Sequence, residues 1–174
     1  MRLHVPIRLR WSDLDAYGHV NNAEMLRLLE EARILAFWAD DAAPDDAAPD
    51  DAAPDAGHVT GAVGASTAVL DGRPGASTLT LIGRQEIEYL APVPYLRAPL
   101  DIQLWLGRMG GASLEVCYEV WSPESAAEPT LYARAATTIV LVDSVSGSPR
   151  RISEIERAAW TPYLDEPVRF SKRR

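Results

Sequence analysis

Residues 22–38 are the one long stretch of helical periodicity in this chain, and that limits the sheets it can build. Met25, Leu28, Leu29, Ala32, Leu35 and Ala36 fall on one stripe, with Arg27, Glu30, Glu31 and Arg33 on the other side. Arg27 and Glu31 stand four apart, the spacing of a helix-surface ion pair. Leu26, Ile34, Phe37 and Trp38 widen the apolar surface, which predicts a helix more enclosed than a surface one. Asn21 is the predicted N-cap, and Glu24 three residues on completes a capping-box pattern. Parallel strands need crossover connections, usually helices. One long helix cannot supply them, so the sheet is expected to be antiparallel.

The other patterned segments alternate in steps of two. Leu3, Val5, Ile7, Leu9 and Trp11 alternate with polar or small residues, the mark of a half-buried strand, and Pro6 points to an edge. Thr78–Leu90 reads as a strand closed by Pro92 and Pro94, and Leu100–Leu106 as another that turns at Gly107, Gly110 and Gly111. Ser113–Trp121 and Leu131–Val142 follow, the second ending in an Asp143–Gly147 turn. Residues 153–164 predict a short helix capped by Ser153, while 57–76 carry no pattern. Strand, long helix, then four strands is an α+β order, an antiparallel sheet against one helix. The 174 residues suit one domain spanning 1–174.

Composition narrows the function classes. The net charge of −8 is concentrated in residues 40–56, where Asp-Asp-Ala-Ala-Pro recurs and seven aspartates meet no base. Setting those aside leaves 18 acids against 17 bases, so no basic face predicts nucleic-acid binding. The tract itself reads as a mobile, solvated loop. Arg169, Lys172, Arg173 and Arg174 form a small basic tail, read as a solvated terminus. Cys117 is the only cysteine, lies in a strand-like run, and reads as a buried thiol. No stretch approaches the roughly 20 apolar residues of a membrane span. Neither a signal peptide nor a membrane segment is expected, and a cytoplasmic protein follows.

The chemistry concentrates at residues 13–22, Asp-Leu-Asp-Ala-Tyr-Gly-His-Val-Asn-Asn. Asp15 stands seven residues before Asn22, where the helix begins, with a turn at Gly18 between them. Helix starts expose unpaired N–H groups and partial positive charge. A carboxylate beside such a start can act on a polarised carbonyl. An aspartate there is otherwise an ordinary cap or turn former. Asp13, the competing carboxylate, reads as a turn or solvent residue. His4, His19 and His58 have neither helical spacing nor nearby ligands, so no metal and no cofactor is expected. No Gly-x-Ser-x-Gly elbow occurs, which argues against an α/β-hydrolase.

The stretch Asp15–Asn22, the helix text Leu-Glu-Glu-Ala-Arg at 29–33, Glu86–Pro92 and the strand at 133–142 resemble one family across almost the whole chain. It is the hotdog-fold acyl-CoA thioesterases of the 4-hydroxybenzoyl-CoA thioesterase type, most closely their long-chain acyl-CoA branch. The resemblance implies a five- to six-stranded antiparallel sheet wrapped around one long helix, assembled as homodimers or homotetramers with active sites at the dimer interface. It puts the catalytic carboxylate on Asp15 and the carbonyl-polarising backbone amide on Asn22. Substrate contacts are expected from Tyr17, Gly18, His19, Val20 and Asn21, from Met25 where relatives carry tyrosine, and from Arg84 toward coenzyme phosphates. Arg108, Arg150 and Arg151 are further candidates for the phosphates. The implied activity is hydrolysis of an acyl-CoA thioester, with Asp15 deprotonating water or attacking directly. A hotdog hydratase or dehydratase and a non-catalytic acyl-CoA-binding protein are the alternatives. The first needs a positioned His/Asp pair that is not evident here.

Overall fold

The computed structural model describes residues 1–39 and 67–171. Along the chain come β1 (Leu3–Ile7), α1 (Asn22–Phe37), β2 (Thr78–Tyr89), β3 (Leu100–Met109), β4 (Ser113–Trp121), β5 (Leu131–Asp143) and α2 (Glu154–Trp160). The five strands form one sheet in the order β1-β3-β4-β5-β2, and every pairing is antiparallel. The expected α+β order therefore stands, with five strands. The acidic tract 40–56, His58 and residues 172–174 lie outside the described residues.

Register decides which residues meet the helix. Leu3, Val5 and Ile7 pair with Leu104, Ile102 and Leu100, and that face continues through Val120, Tyr118 and Val116 to Ala133, Ala135 and Thr137. Met25, Leu28, Leu29, Ala32 and Ala36 of α1 pack against it in one buried cluster. Each large apolar side chain so buried stabilises the fold by roughly 1.5–3 kcal/mol. The helix lies over β1 and β3. The inner-facing side chains of the edge strand β2 are left largely uncovered: Ile82 is 43% exposed and Tyr89 42%.

Several local expectations change. Arg33, placed on the solvent side by the stripe, is buried at 3% exposure, and Leu35 is exposed instead. The reason is rotation: position 33 lies one helical turn beyond Leu29, on a flank that tertiary packing encloses. Arg27 pairs with Glu24 at 3.9 Å and not with Glu31. Asn21 caps α1 through a bond from the Ala23 N–H (2.8 Å), while the reciprocal bond from Glu24 that a capping box requires is absent. β1 ends at Ile7, and Trp11–Asp13 forms a 3₁₀ turn whose Trp11 ring packs edge-on against Tyr95.

β3 runs past the expected turn to Met109, with a bulge between Leu106 and Arg108. Gly107 sits at that bulge on the outer face, where a Cβ would stand 2.7 Å from Cys117 Sγ and 3.1 Å from Pro167 Cα. The close approach explains the glycine. Past α2, the C-terminal segment crosses this outer face as a strap. Asp165 N–H bonds the Leu106 carbonyl, Trp105 Nε1 donates to Glu166 O (2.8 Å), and Ser171 N–H reaches the Glu88 carboxylate (3.2 Å). Ser153 caps α2 as expected and Glu156 completes its capping box. The Glu156 carboxylate also takes a two-pronged bond from Arg150.

Candidate active site

The loop before α1 is a miniature hairpin. Asn21 N–H bonds the Asp13 carbonyl (2.8 Å), Leu14 bridges Val20, and Asp15 N–H bonds the His19 carbonyl (2.8 Å). At the tip Gly18 N–H returns to the Asp15 carbonyl, with Gly18 at φ +77°, which residues bearing a Cβ rarely adopt. The returning arm is zipped to residues 93–94 through Val20 N–H to the Val93 carbonyl (2.9 Å) and a His19–Pro94 bridge. The loop is therefore held from two sides, although it carries no long element of its own.

The two aspartates have separate jobs. Asp13, expected in a turn or in solvent, is buried at 2% exposure and accepts from the Arg10 backbone N–H (2.6 Å). The turn is confirmed and the solvent is not. Asp15 is half-buried, and its Oδ1 accepts from the backbone N–H groups of Tyr17 (2.8 Å) and His19 (3.2 Å). Its Oδ2 has no hydrogen-bond partner among the described residues. One oxygen fixes the side chain while the other keeps its lone pairs for a proton or a carbonyl carbon.

The helix start is the complementary half. Asn21 is extended (φ −64°, ψ 143°) and its side chain satisfies the Ala23 N–H. The Asn22 N–H, first in the helix, meets no acceptor among the described residues and is exposed. The Asn22 carbonyl accepts from the Tyr89 hydroxyl of β2 at 3.2 Å. Burial holds the Tyr89 phenol above its ordinary value, so it stays a protonated donor at neutral pH. The sequence pattern marks Tyr89 only as part of a strand. The signal was its period-two alignment with Ile87, which puts it on the helix side of the sheet. From the Asp15–His19 rung to Asn22 is three residues, which limits the Asp15–Asn22 Cα separation to roughly 12 Å.

The expected substrate contacts divide. Tyr17 (85% exposed), Gly18, His19 and Asn21 lie on the loop beside Asp15 and Asn22, with Asn21 engaged as cap. Val20 and Met25 are core residues, Met25 at 1% exposure, so their surfaces face protein. Arg84 lies on the sheet face opposite α1, paired with Glu86 (2.6 Å) in a cavity it shares with Arg108. Arg150 is committed to Glu156 and Thr78. His4 does have neighbours, contrary to the sequence reading: it stands with Asp101 and Glu124 in a group whose ligand atoms lie within 4.8 Å of one another. That group is on the outer side of the sheet, away from Asp15. None of the four described cavities is lined by Asp15 or Asn22.

A free carboxylate oxygen, an unpaired helix-start N–H and the hotdog-type sheet now stand together. The family model of the thioesterase-like superfamily matches residues 9–167. The chain belongs to the thioesterase-like superfamily. Membership places it among thioester hydrolases, with the hotdog fold expected from the resemblance.

Solved structures of this superfamily's fold align over nearly the whole chain. The PA5185 protein of Pseudomonas aeruginosa is 20% identical at a TM-score of 0.68, covering 95% of this chain and 94% of its own. A predicted thioesterase from Bacillus stearothermophilus is 17% identical at 0.65, covering 97% of this chain and 100% of its own. A Thermus thermophilus thioesterase, solved with coenzyme A and zinc, is 22% identical at 0.56, covering 96% of each chain. At these identities the likeness concerns the fold. No curated protein matches the sequence. Among the described residues, no helix is long and apolar enough to cross a membrane.

Proposed function

We propose that this superfamily member hydrolyses an acyl-CoA thioester to the free acid and coenzyme A, with Asp15 and the Asn22 N–H as its working groups. The observation that carries this reading is that Asp15 Oδ2 and the Asn22 N–H are both unengaged among the described residues, on one loop pinned by backbone hydrogen bonds. With the thioester carbonyl accepting from Asn22, negative charge that develops on the oxygen meets the N–H and the positive end of α1. Asp15 then takes the proton of an attacking water, or attacks the carbonyl carbon itself. Tyr89 holds the first helical carbonyl, in the peptide that follows the Asn22 N–H, and so braces the start of α1. The Thermus protein solved with coenzyme A supports the choice of coenzyme.

The same reading makes the working form a homodimer paired through β2. Among the described residues this strand presents an unpaired edge twelve residues long with exposed Leu79, Leu81 and Ile82, a surface that invites a second strand. Pairing two β2 edges about a two-fold axis gives a continuous sheet with both helices on one face. Each Asp15 corner is then walled by the partner. A homotetramer built from two such dimers needs no further change to either site.

Free-thiol release from a panel of acyl-CoAs tests the proposal, with Asp15→Asn as control. Release by the native chain and its loss in the variant are expected. Consumption of an enoyl-CoA without thiol release would replace hydrolysis by hydration, and binding without either would leave an acyl-CoA-binding protein.

A further inference from the structure

Arg33 is the one cation of α1 drawn into the protein, with its side chain 3% exposed. Burying a guanidinium is costly unless an anion and hydrogen bonds compensate it. Here the compensation comes from one neutral hydroxyl and one largely exposed carboxylate. Nη1 donates to the Tyr118 hydroxyl (3.0 Å), which burial keeps in its neutral form. Nη2 reaches Glu30 at 3.4 Å, but that side chain is 56% exposed. A guanidinium carries five N–H donors, and among the described residues these two acceptors are all it engages. The group lines a cavity of about 380 Å³ whose other walls include Ile34, Trp38, Thr80 and Ile82 together with the charged Glu30 and Arg73. A partly apolar chamber in which two guanidiniums, Arg33 and Arg73, face one carboxylate, Glu30, fits a ligand that is hydrocarbon for most of its length and anionic at its tip.

The position of this chamber says which ligand. α1 and β2 run antiparallel, joined at one end by the Tyr89–Asn22 bond, and the Arg33 cavity lies between them toward the other end. Because α1 rests on β1 and β3, the strip along the inner face of β2 stays open. Eleven residues of helix separate Asn22 from Arg33, about 16 Å.

Resting on the thioester reading above, we infer that Arg33 is a specificity residue for acyl groups ending in a carboxylate. The thioester carbonyl sits at Asn22 and the distal carboxylate takes the spare N–H pair of Arg33 in a two-pronged bond. The planar guanidinium matches that carboxylate better than a point charge does.

The test compares thiol release from CoA monothioesters of dicarboxylic acids, about eight to eighteen carbons long to bracket the 16 Å span, with straight-chain acyl-CoAs of matched length. The native chain is expected to favour the carboxylate-ended series in kcat/KM by roughly tenfold or more at the best length. Arg33→Met is expected to abolish that preference while retaining turnover of the straight-chain series, and Arg33→Lys to keep part of it. Should Arg33→Met fail to fold, Tyr118→Phe and the native ratio still decide, because loss of the tether alone leaves the preference in place. A native ratio near one, or an equal loss on both series in a folded Arg33→Met, overturns the inference and leaves hydrolysis standing. Binding is read separately on Asp15→Asn, by the change in tryptophan emission on adding free dodecanedioic acid. If no thioester is hydrolysed yet this emission responds in an Arg33-dependent way, hydrolysis falls and the Arg33 site survives.

Discussion

Replacing Asn22 by proline removes a single hydrogen-bond donor from this protein and little else. Asn22 is the first helical residue, where proline is favoured because the missing N–H has no intrahelical partner. The preceding residue, Asn21, already has the extended conformation that a following proline demands. The Asn22 carbonyl, which holds Tyr89, is untouched, and so is the Asn21 cap on Ala23. Folding should therefore be unharmed, or improved by a few tenths of a kcal/mol from the stiffer unfolded chain. Loss of one oxyanion donor elsewhere costs about 10²–10³ in kcat, and the same drop is expected here. Asn22→Ala, which keeps the N–H and discards the side chain, should retain turnover within a few-fold. The assay is steady-state thiol release for the three proteins, with melting temperatures recorded beside it. Near-native turnover in the proline variant, with its melting temperature intact, would refute the assignment of the amide.

Asp15→Asn preserves an Oδ1 acceptor for Tyr17 and His19, so its melting temperature should stay within about 1 °C while kcat falls roughly 10²–10⁴-fold. Asp15→Ala also loses both bonds and should melt about 3–6 °C lower, from roughly 1–2 kcal/mol of lost hydrogen bonding; equal melting of the two variants by calorimetry would count against the bracing role. Gly107→Ala drives a methyl into Cys117 and the Pro167 backbone, and urea unfolding should show about 1–3 kcal/mol of destabilisation. Burial disfavours the Glu156 carboxylate, yet hydrogen bonds from Arg150 and Ser153 outweigh it and lower its pKa below the ordinary 4.5. That stabilisation is present above 4.5 and is lost as pH falls through the lower folded value. Glu156→Gln should flatten the acid limb of a melting-temperature profile. Leu81→Lys places a charge on the free β2 edge and should shift the chain toward monomer by light scattering, with thiol release falling in parallel.

Local chemistry determined a good deal of this molecule. The alternations at 3–7, 100–106, 113–121 and 131–142 are strands, because one wet and one dry face leave a period of two in any sheet, while 78–89 is the edge strand with neither face buried. Asn21 caps α1, Ser153 caps α2, and Gly18 takes the left-handed turn, since each of those needs only a few neighbouring atoms. The resemblance carried by residues 15–22 also pointed to the superfamily that the family model confirms. Tertiary packing decided the rest. Asp13 and Asp15 are chemically identical two residues apart, and only the hairpin shows one sealed against Arg10 and the other half-free. Tyr89 reaches Asn22 because β2 pairs with β5 at the sheet edge, a contact across 67 residues that no local pattern encodes. The helical stripe puts Arg33 on the solvent side. It is buried because sheet and helix close around that flank, and a side chain's environment is set by what folds back over it, not by its own neighbours in sequence.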